Sequence, residues 1–312
     1  MKAVLPALAR PLLEPHLPAD LDVAWFASPD EAKVGIKDAE IAWVDMQPTA
    51  LVAEAIRAAG PRLRWITTIY AGLDAFPLGL LREKNVTLTN GAGINAAAVA
   101  DWAVMGVLTA AKRLDDVVRA HDRREWLAGP PGTGELENTR ALVIGYGAIG
   151  RRIGDRLAAF GVEVVGVTRS GRDGTLGADA WRDRLGDFDW VVLAAPSTNV
   201  TRAMIGAAEL AAMRPGAWLV NIARGDMIDQ DALVAVLKGR KIGGAILDTT
   251  EPEPLPSDHP LWAAPNCLVT MHMSGRSQTS MFRKAAALFL ENLAAYRDGR
   301  PMTNVANLSA GY

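Results

Sequence analysis

Three polar features in the second half of the chain have the residue types and setting for acid–base chemistry at a carbonyl. Arg224 lies in Asn221-Ile222-Ala223-Arg224-Gly225, and His272 lies in Thr270-Met271-His272-Met273-Ser274-Gly275. Between them, LDTTEPEP carries Asp248 and Glu253. Each feature follows an apolar run that reads as a buried strand, over 217–221, 242–247 and 267–271. Histidine suits proton exchange at an oxygen, because its unperturbed pKa of about 6.5 is close to neutral. Arginine can hold a carboxylate with two parallel bonds and polarise a carbonyl. An acid beside the histidine would orient the ring and favour its protonated form. Singly, a histidine at a strand end is more often structural and an arginine more often a surface charge. The pattern gains weight because all three follow strands of one domain.

That domain is announced by RALVIGYGAIGRRIGDRLAAFGVEVVGVTR, residues 140–169. An apolar run at 141–144 reads as a strand and enters Gly145-Tyr146-Gly147-Ala148-Ile149-Gly150. Ile149, Ile153, Leu157 and Phe160 then recur at helical spacing, Gly161 is placed to stop the helix, and 162–167 reads as a second strand. In this pattern Gly145 makes the tight turn, Gly147 admits a pyrophosphate to the backbone, and Gly150 lets the helix pack on its strand. The helix N-terminus offers N–H groups and a positive dipole end to phosphate. A nicotinamide enzyme acting on a 2-keto or 2-hydroxy acid would need, beside such a dinucleotide site, a group that trades a proton at the oxygen and a cation near the carbonyl and carboxylate.

The flanking segments supply the frame. Apolar runs at 3–5, 23–26, 41–44, 65–69 and 86–89 read as strands and 51–59 as a helix, so the first hundred residues form a small α/β domain with a parallel sheet. Its loop Tyr70-Ala71-Gly72-Leu73-Asp74 follows a strand and could offer backbone N–H groups to a carboxylate. A long apolar helix at 95–112 leads into the second domain, a charged helix at 114–126 follows, and 127–134 is a Gly/Pro-rich arm suited to packing on a partner subunit. Strands at 190–194, 217–221, 242–247 and 267–271 continue the second sheet, and Asp229 is placed to cap the helix 229–237. A terminal helix over 277–297 carries Met281, Ala285, Leu288 and Leu293 on one stripe and returns to the first domain, leaving a cleft for a small molecule. Loops near 42–48, 70–74 and 273–277 are expected to shape its pocket.

The 312 residues suit two domains, and half of them are apolar. A formal net charge of −2 gives no reason to expect a nucleic-acid or anionic-membrane partner. No apolar run approaches membrane-spanning length, and four prolines interrupt the N-terminal stretch, which reads as strand and loop. The expected location is cytoplasmic. Cys267, the single cysteine, reads as a small buried hydrophobe. His16, His121 and His259 read as surface residues, and no Cys/His spacing suggests a metal site.

Together, AGLD, GYGAIG, APSTNVTR, NIARG, LDTTEPEPLP and HPLWAAPNCLVTMHMSG, in this order, resemble the D-isomer-specific 2-hydroxyacid dehydrogenase family. The resemblance implies an α/β fold of two Rossmann-like or flavodoxin-like parallel-sheet domains. One would be a discontinuous substrate domain of 1–95 plus 285–312, the other a dinucleotide domain of 96–284. It implies homodimers with an arm near the crossover helix at the interface. Family roles then fall on Arg224 as the catalytic arginine, His272 as the acid, and Glu253, not Glu251, as its partner. Asp248 would hold the nicotinamide carboxamide, and Tyr70, Ala71, Gly72 and Leu73 would form the substrate-carboxylate loop. Further cofactor contacts are implied at Ala195, Pro196, Thr198, Ile222, Ala223, His272, Ser274 and Gly275, beside Thr168, Arg169, Ser170 and Arg172.

Two positions depart from the family pattern. Thr168 stands where NAD users usually carry an aspartate for the ribose hydroxyls, and Arg169 follows it. Loss of the acid removes repulsion and Arg169 can pair with a 2′-phosphate, so NADP(H) is expected over NAD(H), with NAD(H) use still open. Asp101-Trp102 stands where many relatives have a glutamate, a change with no chemistry legible in the sequence. The expected activity is reduction of a 2-keto acid of the glyoxylate or hydroxypyruvate type. Formate or phosphite oxidation on the same fold, or a dinucleotide-sensing corepressor, are the alternatives, the last disfavoured by the intact Arg224, Glu253 and His272.

Overall fold

Strands joined by helices pair with parallel neighbours, and here they build two separate sheets. The computed structural model describes residues 1–46, 48–276 and 280–311. These form two compact units, Met1–Asn95 with Ser277–Tyr312, and Ala96–Arg276. Gln47 and Ser277, drawn into pocket loops by the sequence reading, lie outside the described residues. The last helix, Met281–Arg297, is grouped with the first unit and is tied to it from its first turn. Asn95 Nδ2 donates to Met281 Sδ at 3.4 Å, and Lys284 Nζ donates to the Ile94 carbonyl at 3.3 Å.

In the first unit the strands are β1 (Lys2–Pro6), β2 (Asp22–Phe26), β3 (Ile41–Trp43), β4 (Trp65–Thr67) and β5 (Thr87–Thr89), in the order β2-β1-β3-β4-β5. All the pairings are parallel, so both faces need cover. Period-two alternation divides the side chains. Val4, Ala42 and Ile66 meet the helices Pro29–Gly35 and Ala50–Arg57, while Leu5, Trp43 and Trp65 meet the terminal helix. Phe289 of that helix stacks on Trp65 at 5.3 Å, and Tyr296 stacks on it at 5.6 Å. Pro29–Gly35 was not marked from sequence; it is short, started by Ser28, whose hydroxyl accepts from Glu31 N.

In the second unit the strands are β6 (Arg140–Ile144), β7 (Glu163–Val167), β8 (Trp190–Leu193), β9 (Trp218–Asn221), β10 (Gly244–Leu247) and β11 (Cys267–Val269). Their order is β11-β10-β9-β8-β6-β7, again all parallel. Beyond β7, Leu176 forms an isolated parallel bridge with Val167. The chain leaves β6 toward one edge and returns past it to β8, so the order reverses between β6 and β8. Such a reversal opens a crevice at the carboxyl ends of the strands. Leu142, Val191, Leu219 and Leu247 pack on the face that carries the helix Gln230–Lys238. Val143, Val192, Val220 and Ile246 pack on the face covered by the helices Ala96–Lys112 and Ala148–Ala158. Gly106 brings the first of these onto the sheet, since a Cβ there would lie 2.9 Å from Ile246 Cγ2.

Some local expectations need correcting. The helix after the glycine loop ends at Ala158, so Phe160 leaves the stripe of Ile149, Ile153 and Leu157 and is exposed. His259 is not a bare surface residue, because its Nδ1 accepts from Leu261 N and starts the turn Pro260–Ala263. Asp229 does cap its helix, accepting from Ala232 N at 3.0 Å. Burial pushes the Cys267 thiol up to about 12, leaving it un-ionised near neutral pH. Among the described residues, no helix is long and apolar enough to cross a membrane.

Candidate active site

The six strands of the second unit end at one edge, and the polar candidates of that unit follow those ends. The glycine loop follows β6. Gly145 has φ of +98°, open to glycine with no steric penalty, and a Cβ on it would lie 2.3 Å from Ala195 N at the end of β8. Gly145 therefore lines the crevice between β6 and β8. Gly147 is different: a Cβ there would meet nothing within 4 Å. Gly150 sits against the turn, where a Cβ would lie 2.3 Å from Gly145 O. So the loop combines a forced turn, an open backbone approach and a tight helix–strand contact. It runs into the helix Ala148–Ala158, whose first N–H groups have no acceptor within the helix. Gly145 and Tyr146 both donate their N–H groups to Val167 O, and the Tyr146 ring packs over Gly154 and Gly166. The loop's remaining reach toward an anion lies at Gly147, Ala148 and Ile149.

After β7 the chain folds into a small polar loop. Thr168 Oγ1 bonds Thr175 Oγ1 at 2.8 Å and accepts from Gly171 N at 3.1 Å. Thr168 N donates to Leu176 O, and Ser170 bridges to Gly177. Thr168 is thus the pin of the loop, and it holds Arg169, Ser170 and Arg172 exposed around it.

At the other end of the sheet, β9, β10 and β11 are neighbours, which brings Arg224, Asp248, Glu253 and His272 into adjacent loops. Asn221, fully buried at the end of β9, donates from Nδ2 to Arg224 O and accepts from Ala223 N. This closes the turn that contains Ile222 and Ala223, both buried. Gly225 lies so close to Thr250 that a Cβ would fall 1.9 Å from its carbonyl carbon, locking the arginine turn to the loop after β10.

His272 Nδ1 is 2.8 Å from Glu253 Oε2. Burial raises the Glu253 carboxyl, but the His272 bond and charge, Thr250 N–H and the Arg224 charge outweigh it and hold it below the usual range. An ionised carboxylate only accepts, so Nδ1 carries the proton and Nε2 is the nitrogen left for a ligand. Met271 and His272 both sit at positive φ, +54° and +53°. Non-glycine residues reach that region at a cost of about 1–3 kcal/mol each. Asp248 offsets the cost. Its Oδ1 accepts from Thr270 Oγ1 at 2.7 Å and Met273 N at 2.8 Å, its Oδ2 from Ser274 N at 3.1 Å, and its backbone oxygen from His272 N. Gly275 follows directly.

Pro196 and Thr198 lie in the loop after β8, past Ala195. Sequence reasoning missed what holds this loop: Asp226 Oδ2 accepts from Ser197 Oγ at 2.7 Å and pairs with Arg202 at 3.2 Å. Asp226 belongs to the arginine turn, so it links the loops after β8 and β9. The nearness of Asp226 to Arg224 in sequence was the only available signal. Asp226 Oδ1 and Thr249 Oγ1 are buried without a hydrogen-bond partner among the described residues.

The loop Tyr70–Leu73 belongs to the other unit. It is anchored by Asp45, another residue missed from sequence. The Asp45 carboxylate accepts from Trp43 Nε1, Thr68 Oγ1 and Ile69 N, and Tyr70 N donates to Thr68 Oγ1. On the far side, Gly91 N donates to Tyr70 O and Asn90 Nδ2 to Ala71 O. Burial pushes the Asp45 carboxyl up to about 6 against the pull of its three donors.

Residues 104–274 match the family described as D-isomer specific 2-hydroxyacid dehydrogenase, NAD binding domain. Glyoxylate/hydroxypyruvate reductase B of Pectobacterium carotovorum subsp. carotovorum is 31% identical over 258 residues, 79% of this chain and 80% of that protein. Among solved structures, a D-isomer specific 2-hydroxyacid dehydrogenase family protein from Aeromonas salmonicida aligns at a TM-score of 0.87 and 28% identity, over 98% of both chains. A D-isomer specific 2-hydroxyacid dehydrogenase from Xanthobacter autotrophicus Py2, in complex with NADPH and MES, aligns over 100% of both chains at a TM-score of 0.78 and 28% identity.

The contrast between two glycines is testable by thermal melting and dinucleotide titration. Gly147→Ala keeps the melting temperature and weakens dinucleotide binding by about tenfold or more, because the new methyl occupies the open approach. Gly150→Ala destabilises the fold by about 1–3 kcal/mol, as expected for overpacking. Equal melting losses in the two variants would contradict this division of roles.

Proposed function

The chain belongs to the D-isomer-specific 2-hydroxyacid dehydrogenase family, a family of NAD(P)-dependent oxidoreductases, and we propose that it reduces a small 2-keto acid to the D-2-hydroxy acid with NADPH. The observation that carries this reading is the His272–Glu253 pair on the same sheet edge as the open glycine loop. The glycine geometry fits a dinucleotide: Gly147 leaves room that any side chain would fill. Gly147, Ala148 and Ile149 would hold the pyrophosphate, Ala195, Pro196, Thr198, Ile222, Ala223, Ser274 and Gly275 would line the cofactor, and Asp248 would hold the carboxamide.

The bound nicotinamide supplies a hydride to the keto carbon. His272 Nε2 gives its proton to the keto oxygen as the C–O double bond becomes an alcohol, and the ring ends neutral. Glu253 stays ionised throughout and keeps Nδ1–H pointed at itself, so the ring cannot turn Nε2 away. Arg224 polarises the carbonyl and pairs with the substrate carboxylate. A positioned acid of this kind contributes about a hundredfold to ten-thousandfold in rate.

Preference for the phosphorylated cofactor rests on the loop after β7. Thr168 spends its hydroxyl on Thr175 and Gly171, so no carboxylate stands at the end of β7 to bind ribose hydroxyls or repel a 2′-phosphate. Arg169 and Arg172 flank the place. The substrate class follows relatives such as the glyoxylate/hydroxypyruvate reductase of Pectobacterium carotovorum. The chain acts as a homodimer through the second unit. There Met105, Leu114, Val118 and Phe160 are exposed by 45%, 50%, 51% and 45%, and Trp126, ahead of the Gly/Pro arm, by 97%. A cluster of this kind marks a contact with a partner, here a second copy.

A panel of 2-keto acids assayed with NADPH and NADH tests the activity. Glyoxylate or hydroxypyruvate should turn over with kcat/KM about tenfold or more higher for NADPH, the size of one charge-assisted phosphate contact. A clear NADH preference would overturn the cofactor assignment, and inertness toward every keto acid would overturn the reaction. Light scattering should give a dimer that Met105→Glu converts to a monomer; a wild-type monomer would contradict the interface.

A further inference from the structure

We infer that Trp102 is a positioning residue for proton transfer, acting through Thr270 and Asp248 on the loop that carries His272. The inference deepens the reading above and rests on it for the role of His272, but its structural basis lies wholly within the second unit.

Trp102 lies near the start of the helix Ala96–Lys112, and Asp101 beside it turns outward to pair with Arg156 at 2.7 Å. The Trp102 ring turns inward and its Nε1 is 3.0 Å from Thr270 Oγ1. An indole nitrogen can only donate. The Thr270 oxygen therefore accepts from Trp102, and the threonine's single proton is left for Asp248 Oδ1, 2.7 Å away. The bond polarity is thereby fixed along the whole chain, Trp102 to Thr270 to Asp248. Asp248 in turn holds Met273 N, Ser274 N and, through its backbone oxygen, His272 N. Those bonds keep Met271 and His272 at positive φ, the conformation that faces His272 toward Glu253.

Without the indole donor, the Thr270 hydroxyl still points at Asp248 Oδ1, but its oxygen is braced from one side only and holds the carboxylate less firmly. The bonds that offset the strained backbone of the loop are then weaker, and His272 samples orientations that miss the substrate oxygen. The effect reaches the reacting proton without any contact between Trp102 and substrate. It also gives a function to the Asp101-Trp102 departure: Asp101 pairs at the surface while Trp102 supplies an uncharged donor beneath the site.

Trp102→Phe keeps the ring and deletes the donor, and Thr270→Val deletes the middle link. Amide hydrogen exchange on the chain without substrate reads the tether directly. Protection of Met273 and Ser274 should fall about fivefold in Trp102→Phe, the weight of one neutral hydrogen bond, further in Thr270→Val, which also loses the bond to the carboxylate, and no further in the double variant than in Thr270→Val. In the keto-acid assay, kcat should fall by about the same factors, with the same non-additivity, while KM for the keto acid stays within about twofold. Asp101→Ala, on the exposed side, should leave both readouts unchanged. Single-variant losses that multiply in the double variant, or unchanged exchange in Trp102→Phe, would overturn the tether. Coupled exchange in a chain that reduces no keto acid would instead leave the tether standing and overturn the reaction.

Discussion

A carboxylate that is 1% exposed must find donors for both oxygens, and Asp248 finds them by drawing the loop after β11 over itself. Much of the site's geometry depends on this one demand. The loop is held with two consecutive residues at positive φ, which no local preference of methionine or histidine would support. The same strain turns His272 to Glu253, and Glu253, kept ionised by its neighbours, fixes which ring nitrogen bears the proton. The chemistry proposed for His272 therefore rests on a buried hydrogen-bond hub that touches the loop mainly through backbone.

The parallel sheet does the gathering. Because the paired strands of the second unit all run one way, residues distant in sequence, from Gly145 to His272, emerge on one edge. The reversal of order between β6 and β8 opens the edge where Gly145 and Ala195 come within contact. Toward the other edge of the sheet, Asn221 closes the arginine turn and Gly225 locks that turn to the loop after β10. Asp226 ties it back to the loop after β8. The loops are thus braced against one another, which is what a constellation held to fractions of an ångström requires.

How much of this was legible follows from where each cause resides. The glycine loop could be read because turn, open approach and close packing are backbone properties that depend on spacing alone. The sheets could be read because alternating apolar runs face two covered sides. Arg224 and His272 stood out as polar residues just past strand ends, whereas the choice of Glu253 over Glu251 came from the family resemblance. Hidden from the sequence were the partners across long separations. Nothing about Trp102 and Thr270 taken singly joins them; the helix Ala96–Lys112 crossing the sheet does. Asp45 looks like an ordinary loop acid until Trp43, Thr68 and Ile69 converge on it. The contacts of Met281 and Lys284 with residues 94–95 were hidden for the same reason, since they are tertiary.

The most direct measurement is the rate of hydride transfer in a single turnover of His272→Ala, with NADPH binding measured on the same variant. Loss of the proton donor should slow hydride transfer to a 2-keto acid by about a hundredfold or more, with the NADPH dissociation constant changed by less than about threefold. Hydride transfer at the wild-type rate would contradict the assignment of His272 as the acid.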